Sequence, residues 1–96
     1  MSGEDLEQAL QLIYAEYEQA LTLQDALVTH SPEEGYVIEE LKMRLNFNQA
    51  RAAAERVDLS QENVPKEDVD AVFNFGSCVT AVLEYCRSTA EEIESN

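Results

Sequence analysis

The chain has 96 residues, of which 45 % are apolar, with three glycines, two prolines and a formal net charge of −14. That length holds one domain with one modest core, and the apolar fraction is ordinary for a folded protein, which argues against general disorder. So strong an acidic excess disfavours nucleic acid and anionic membrane as direct partners, since both would repel it, and favours basic ones.

The opening residues, "MSGEDLEQAL", carry neither the basic region nor the apolar core of a signal peptide. No run approaches the roughly 18 apolar residues of a membrane span. Both features point to a cytoplasmic protein whose cysteines stay reduced. The first helix is expected to open at Ser2, which stands at capping-box spacing from Asp5, with acids gathered in the first turn. Leu6, Leu10, Ile13, Tyr17, Ala20 and Leu27 follow three-four spacing, and Tyr14, Leu21 and Val28 widen the stripe to what a bundle core uses. Gln24 interrupts it once. The pattern runs to about Thr29.

The break is "HSPEEG". Ser31 suits an N-cap, Pro32 a first helical position, and Glu34 completes a capping-box pattern. Gly35 costs about 1 kcal/mol within a helix, so the regular second helix is expected from Tyr36. "YVIEELKMRLNFNQARAAAERV" then shows an unusual pattern. Leu41, Met43, Leu45 and Phe47 alternate with polar residues, which alone reads as a strand. The strong helix formers of "RAAAERV" and the length of the run favour a helix. In helical projection the apolar residues split into two opposed faces. Ile38, Leu41, Leu45 and Ala52 lie on one, and Tyr36, Met43, Phe47, Ala50, Ala54 and Val57 on the other.

After "DLSQENVPK", with Pro65 near its start, the last helix keeps three-four spacing through Val69, Val72, Gly76, Val79, Leu83, Cys86, Ala90 and Ile93. Phe75, Cys78, Val82 and Tyr85 form a second row beside it. Gly76, at a seam position, is expected to admit a neighbouring helix closely, with Phe47 a plausible counterpart. Cys78 and Cys86 are separated by about 12 Å of helical rise, beyond the roughly 7 Å a disulfide spans. Among apolar neighbours each is read as a small hydrophobe.

Chemical motifs are sparse. His30, the single histidine, has no nucleophile or orienting acid beside it. The carboxylate pairs Glu4/Glu7, Glu67/Asp70 and Glu91/Glu94 flank or oppose the apolar stripes, whereas a carboxylate–metal enzyme needs them pointing inward with a Glu-x-x-His element. No phosphate-binding glycine loop, Cys-x-x-Cys or Gly-x-Ser-x-Gly occurs. No catalytic activity, metal or cofactor is expected. Charge is uneven: residues 1–40 hold ten acids and no Lys or Arg, whereas residues 41–57 hold Lys42, Arg44, Arg51 and Arg56 against Glu55. The basic middle segment is expected to pair with acids on the helices beside it.

Three amphipathic segments with short connections make an all-α, antiparallel three-helix bundle the expected fold. Its second helix has more apolar surface than one such core covers. The sequence therefore reads as a protein-binding module (a chaperone, adaptor or inhibitor) with Tyr36, Met43, Phe47 and Ala50 as partner-binding residues. The Ile38, Leu41 and Leu45 face is the other candidate. A homodimer pairing the free face across a two-fold axis is the simplest completion, and a partner's helix in the groove is the next. The rival from another class is a nucleic-acid mimic whose carboxylates imitate a phosphate array and block a basic protein. The placement of acids, on one continuous face or all around, separates the two.

Overall fold

A computed structural model describes residues 1–95. Four helices, α1 (Gly3–His30), α2 (Glu34–Arg44), α3 (Phe47–Glu55) and α4 (Lys66–Ser95), make a small all-α bundle with no strand among the described residues. The strand alternative over residues 41–47 is thereby removed. The bundle measures 50 × 21 × 15 Å. Its long axis is set by α1 and α4, which at 28 and 30 residues span about 42 and 45 Å. Cross-contacts fix the directions. Gln24 meets Lys42, and Tyr17 meets Arg51, so the α2–α3 rod descends along α1. Tyr85 meets Glu34 and Phe75 meets Phe47, so α4 ascends along that rod. Glu16 meets Thr80 and Gln19 meets Arg87, so α1 and α4 point the same way.

α1 begins as its capping pattern indicates, with the Asp5 N–H donating to Ser2 Oγ at 3.1 Å. Ser31 does not cap α2. Its N–H donates to Leu27 O at 2.7 Å, which keeps it in the last turn of α1, and α2 follows the Pro32–Glu33 turn with Gly35 inside the helix.

The expected single second helix is two. Leu45 closes α2, and Asn46 adopts the left-handed conformation (φ 54°, ψ 42°) before α3 starts at Phe47. Asn is among the few residues with a Cβ that tolerate this region, because its short amide bonds locally. Asn46 resets the helical phase. Continued in register, the Ile38–Leu41–Leu45 face would have carried on to Ala52. After the break Ala52 is exposed, and Phe47, Ala50 and Ala54 are buried instead. Two opposed stripes thus turn toward one core, and the surplus apolar surface that a straight helix would leave is largely absorbed.

The core centres on four rings from three helices. Phe75 of α4 lies edge-on to Tyr14 and Tyr17 of α1 and to Phe47 of α3, with centroids 5.8, 6.1 and 5.6 Å away. Such pairs add about 0.5–1.5 kcal/mol each to the area they bury. Cys78 and Cys86 are buried, unbridged members of the same core. Gly76 is a close-approach position, with a different neighbour from the one expected. A methyl there would lie 3.0 Å from Ile13 Cδ1 and 3.2 Å from Cγ1, so α1 and not Phe47 fills the space. Gly76→Leu therefore overpacks the α1–α4 seam and should lower stability by about 1–3 kcal/mol in a denaturant melt. In Gly76→Ala, the helix-propensity gain of about 1 kcal/mol offsets the small displacement of Ile13.

Candidate functional site

The four residues read from sequence as a binding surface do not share one exposed face. Phe47 and Ala50 are 2 % and 5 % exposed, held in the core by the phase reset at Asn46. Tyr36 and Met43 are 82 % and 76 % exposed on α2. The competing face has gone inward: Ile38 is fully buried, and Leu41 and Leu45 pack against the core. What remains is the outer face of α2. Tyr36 and Met43 are seven residues apart, which places them within about 20° of each other around the helix and about 10.5 Å apart along it.

Two shallow grooves meet on this face. The first, about 550 Å³, lies between the end of α1 and the start of α2 and is lined by Gln24, Asp25, Val28, Thr29, Pro32, Gly35, Tyr36 and Glu39. Gly35 helps to keep it open, since a side chain there would reach Val28, with its Cβ 3.5 Å from Cγ2. The second, about 280 Å³, lies at the break and is lined by Glu39, Lys42, Met43, Asn46, Phe47, Asn48 and Gln49. Glu39 belongs to both. Asp25, Val28 and Pro32 were not singled out as surface residues by sequence, because the α1 stripe assigned Val28 to the core. The clue was Gly35, a helix position without a side chain facing that stripe.

The electrostatics differ from expectation. Basic residues of the middle segment pair within their own helices: Arg44 with Glu40 at 2.7 Å, Arg51 with Glu55 at 3.7 Å and Lys42 with Glu39 at 3.8 Å. Toward neighbouring helices they donate to neutral groups, Lys42 to Gln24 at 3.1 Å and Arg51 to Tyr17 at 3.2 Å. Lys42 Nζ also lies 5.5 Å from the centre of the Phe47 ring, so its charge is turned inward. Acids instead bind hydroxyls between helices. Tyr85 donates to Glu34 at 2.6 Å, and this bond, followed by burial, pushes the phenol's pKa upward. Tyr14 donates to Glu55 at 3.3 Å, and here burial comes first and the Glu55 charge second in raising the pKa.

Residues considered for chemistry are not assembled. His30 is exposed at the end of α1, and the paired carboxylates Glu4/Glu7, Glu67/Asp70 and Glu91/Glu94 all point to solvent. Among the described residues no three His, Cys, Asp or Glu side chains are grouped to hold a metal ion. Burial pushes both thiols up, away from the reactive thiolate, and Cys78 Sγ sits 3.5 Å from Leu45 O. No helix among the described residues is long and apolar enough to cross a membrane. No family model, curated protein or solved structure matches the chain.

Proposed function

We propose that the chain is a non-enzymatic cytoplasmic module, a chaperone, adaptor or inhibitor, that binds another protein through the outer face of α2. One observation carries this reading: Tyr36 and Met43, a tyrosine and a methionine on one stripe, stand 82 % and 76 % exposed above open grooves. Aromatic residues and Met are enriched at protein interfaces, and Met adapts to varied partner shapes. The distribution of charge favours this over a nucleic-acid mimic. Exposed carboxylates occur on α1 (Glu4, Glu18), α2 (Glu39, Glu40), α3 (Glu55), the α3–α4 connection (Asp58, Glu62) and α4 (Glu67, Glu84, Glu91), around the molecule and not in one array.

The test is a double variant, Tyr36→Glu with Met43→Glu. Both positions face solvent, so helical circular dichroism and the melting midpoint should stay near those of the parent, within about 0.5 kcal/mol. Partner recovered from native lysate, quantified by mass spectrometry, should fall at least about tenfold, as expected when two central anchors are lost. Recovery of the same partners by both proteins would place the binding surface elsewhere and end this reading.

A further inference from the structure

We propose that the occupant of the α2 face is a basic amphipathic helix of the partner, with apolar anchors at i and i+7 and Lys or Arg at i+3 or i+4 between them. This rests on the reading of that face as the binding surface and adds what covers it. Spacing supplies the first argument. Tyr36 and Met43, one lining each groove, are about 10.5 Å apart along α2, and a helix laid alongside repeats one face at i and i+7 over the same distance. An extended strand presents same-face side chains about 6.7 or 13.4 Å apart, and neither interval matches. Helix-in-groove recognition of this kind reads such anchors on one side of the ligand helix.

Charge supplies the second argument. Between the anchors stands Glu39, 65 % exposed, which lines both grooves and has one cation near it, Lys42 at 3.8 Å. That lysine is 15 % exposed and turned toward Gln24 and the Phe47 ring. Asp25 lines the first groove with no ion pair among the described residues, and the Tyr36 ring lining the same groove offers a cation a π face. A cation between the partner's anchors therefore lies over Glu39, with Asp25 of α1 facing the same stretch of α2, since Gln24 meets Lys42 and Val28 lies against Gly35.

The same geometry disfavours a second copy of this chain as the occupant. An antiparallel α2–α2 pairing across a two-fold axis seats Tyr36 on Met43 and brings Glu39 of each copy against Glu40 of the other at the dyad. Like charges there, on two chains each carrying −14, oppose the pairing.

The experiment uses the full chain and fluorescein-labelled, Ala-based helical peptides, read by anisotropy. The probe carries Leu at i and i+7 and Lys at i+3 and i+4. One control moves the second Leu to i+9, off the face, and another replaces both Lys by Glu. The probe should bind at least about tenfold more tightly than either control, since burying a Leu anchor is worth about that factor and the Glu control turns two attractions into two repulsions. Tyr36→Ala and Met43→Ala should each weaken it about tenfold. Glu39→Gln should weaken it and flatten its dependence on salt. Equal affinity for all three peptides, or a parent that sediments as a dimer dissociated by Tyr36→Glu, would overturn the proposal. If partner capture depends on Tyr36 and Met43 while the peptides bind indifferently, the face stands and the helical occupant falls. If capture ignores those residues and no peptide binds, both fall together.

Discussion

Phe47→Glu should unfold the domain. The ring is 2 % exposed and lies 5.5 Å from Tyr17 and 5.6 Å from Phe75, so it joins α3 to both long helices. Losing a buried aromatic ring costs about 3–5 kcal/mol before any charge is considered. The new carboxylate would enter the same apolar site, where the nearby cations are already engaged, Lys42 with Gln24 and Arg51 with Tyr17. A domain of this size has a total stability of roughly 5–15 kcal/mol, so the two costs together exhaust most or all of it. Circular dichroism at 25 °C should show most of the helical signal gone, or a denaturant midpoint near zero. The contrast with Tyr36→Glu on the adjoining helix, expected to melt like the parent, makes the test sharp. A folded Phe47→Glu that merely changed its oligomeric state would mean that Phe47 serves an interface after all.

Gly3→Ala should destabilise by about 2–4 kcal/mol, a large effect for one methyl near a helix terminus. At a solvated position the same change would stabilise by up to about 1 kcal/mol through helix propensity. The sign reverses because the α3–α4 connection lies against the start of α1. An added Cβ would overlap the Leu59 carbonyl and stand 2.8 Å from Gln61 O. These atoms are backbone and cannot rotate away. Relief requires parting the two segments, which breaks the Gly3 N–H to Gln61 O bond of 2.8 Å and the Val64 N–H to Met1 O bond of 2.9 Å. It also loosens Leu6 and Val64, both buried nearby in the chain. Denaturant melts measure the loss, and faster hydrogen exchange at the Val64 amide locates it. A midpoint at or above the parent's would show that the connection does not press on α1.

The amino-acid sequence by itself determined the helical class, the extent of α1 and α4, and most of their buried positions. Those helices are long, and three-four spacing repeated over many turns leaves one consistent phase. It also determined that Cys78 and Cys86 are core thiols, because their neighbours at helical spacing are apolar. The overall acidity was legible in the same way. Only the tertiary structure decided the rest. The phase reset at Asn46 turned Phe47 and Ala50 inward, and nothing local compels Asn46 into the left-handed region without a core that rewards it. In the alternation of Leu41, Met43, Leu45 and Phe47, the step from Leu45 to Phe47 was the trace of that reset, where two buried stripes out of phase join, whereas Met43 stands outside both and is exposed. Pairing of the basic middle segment depended on which polar groups faced it, and α1 offered Gln24 and Tyr17 where carboxylates were expected. Gly3 looked like part of an ordinary acidic helix start. Its constraint comes from a loop more than fifty residues away, and contacts between distant segments leave no periodic signal in either one.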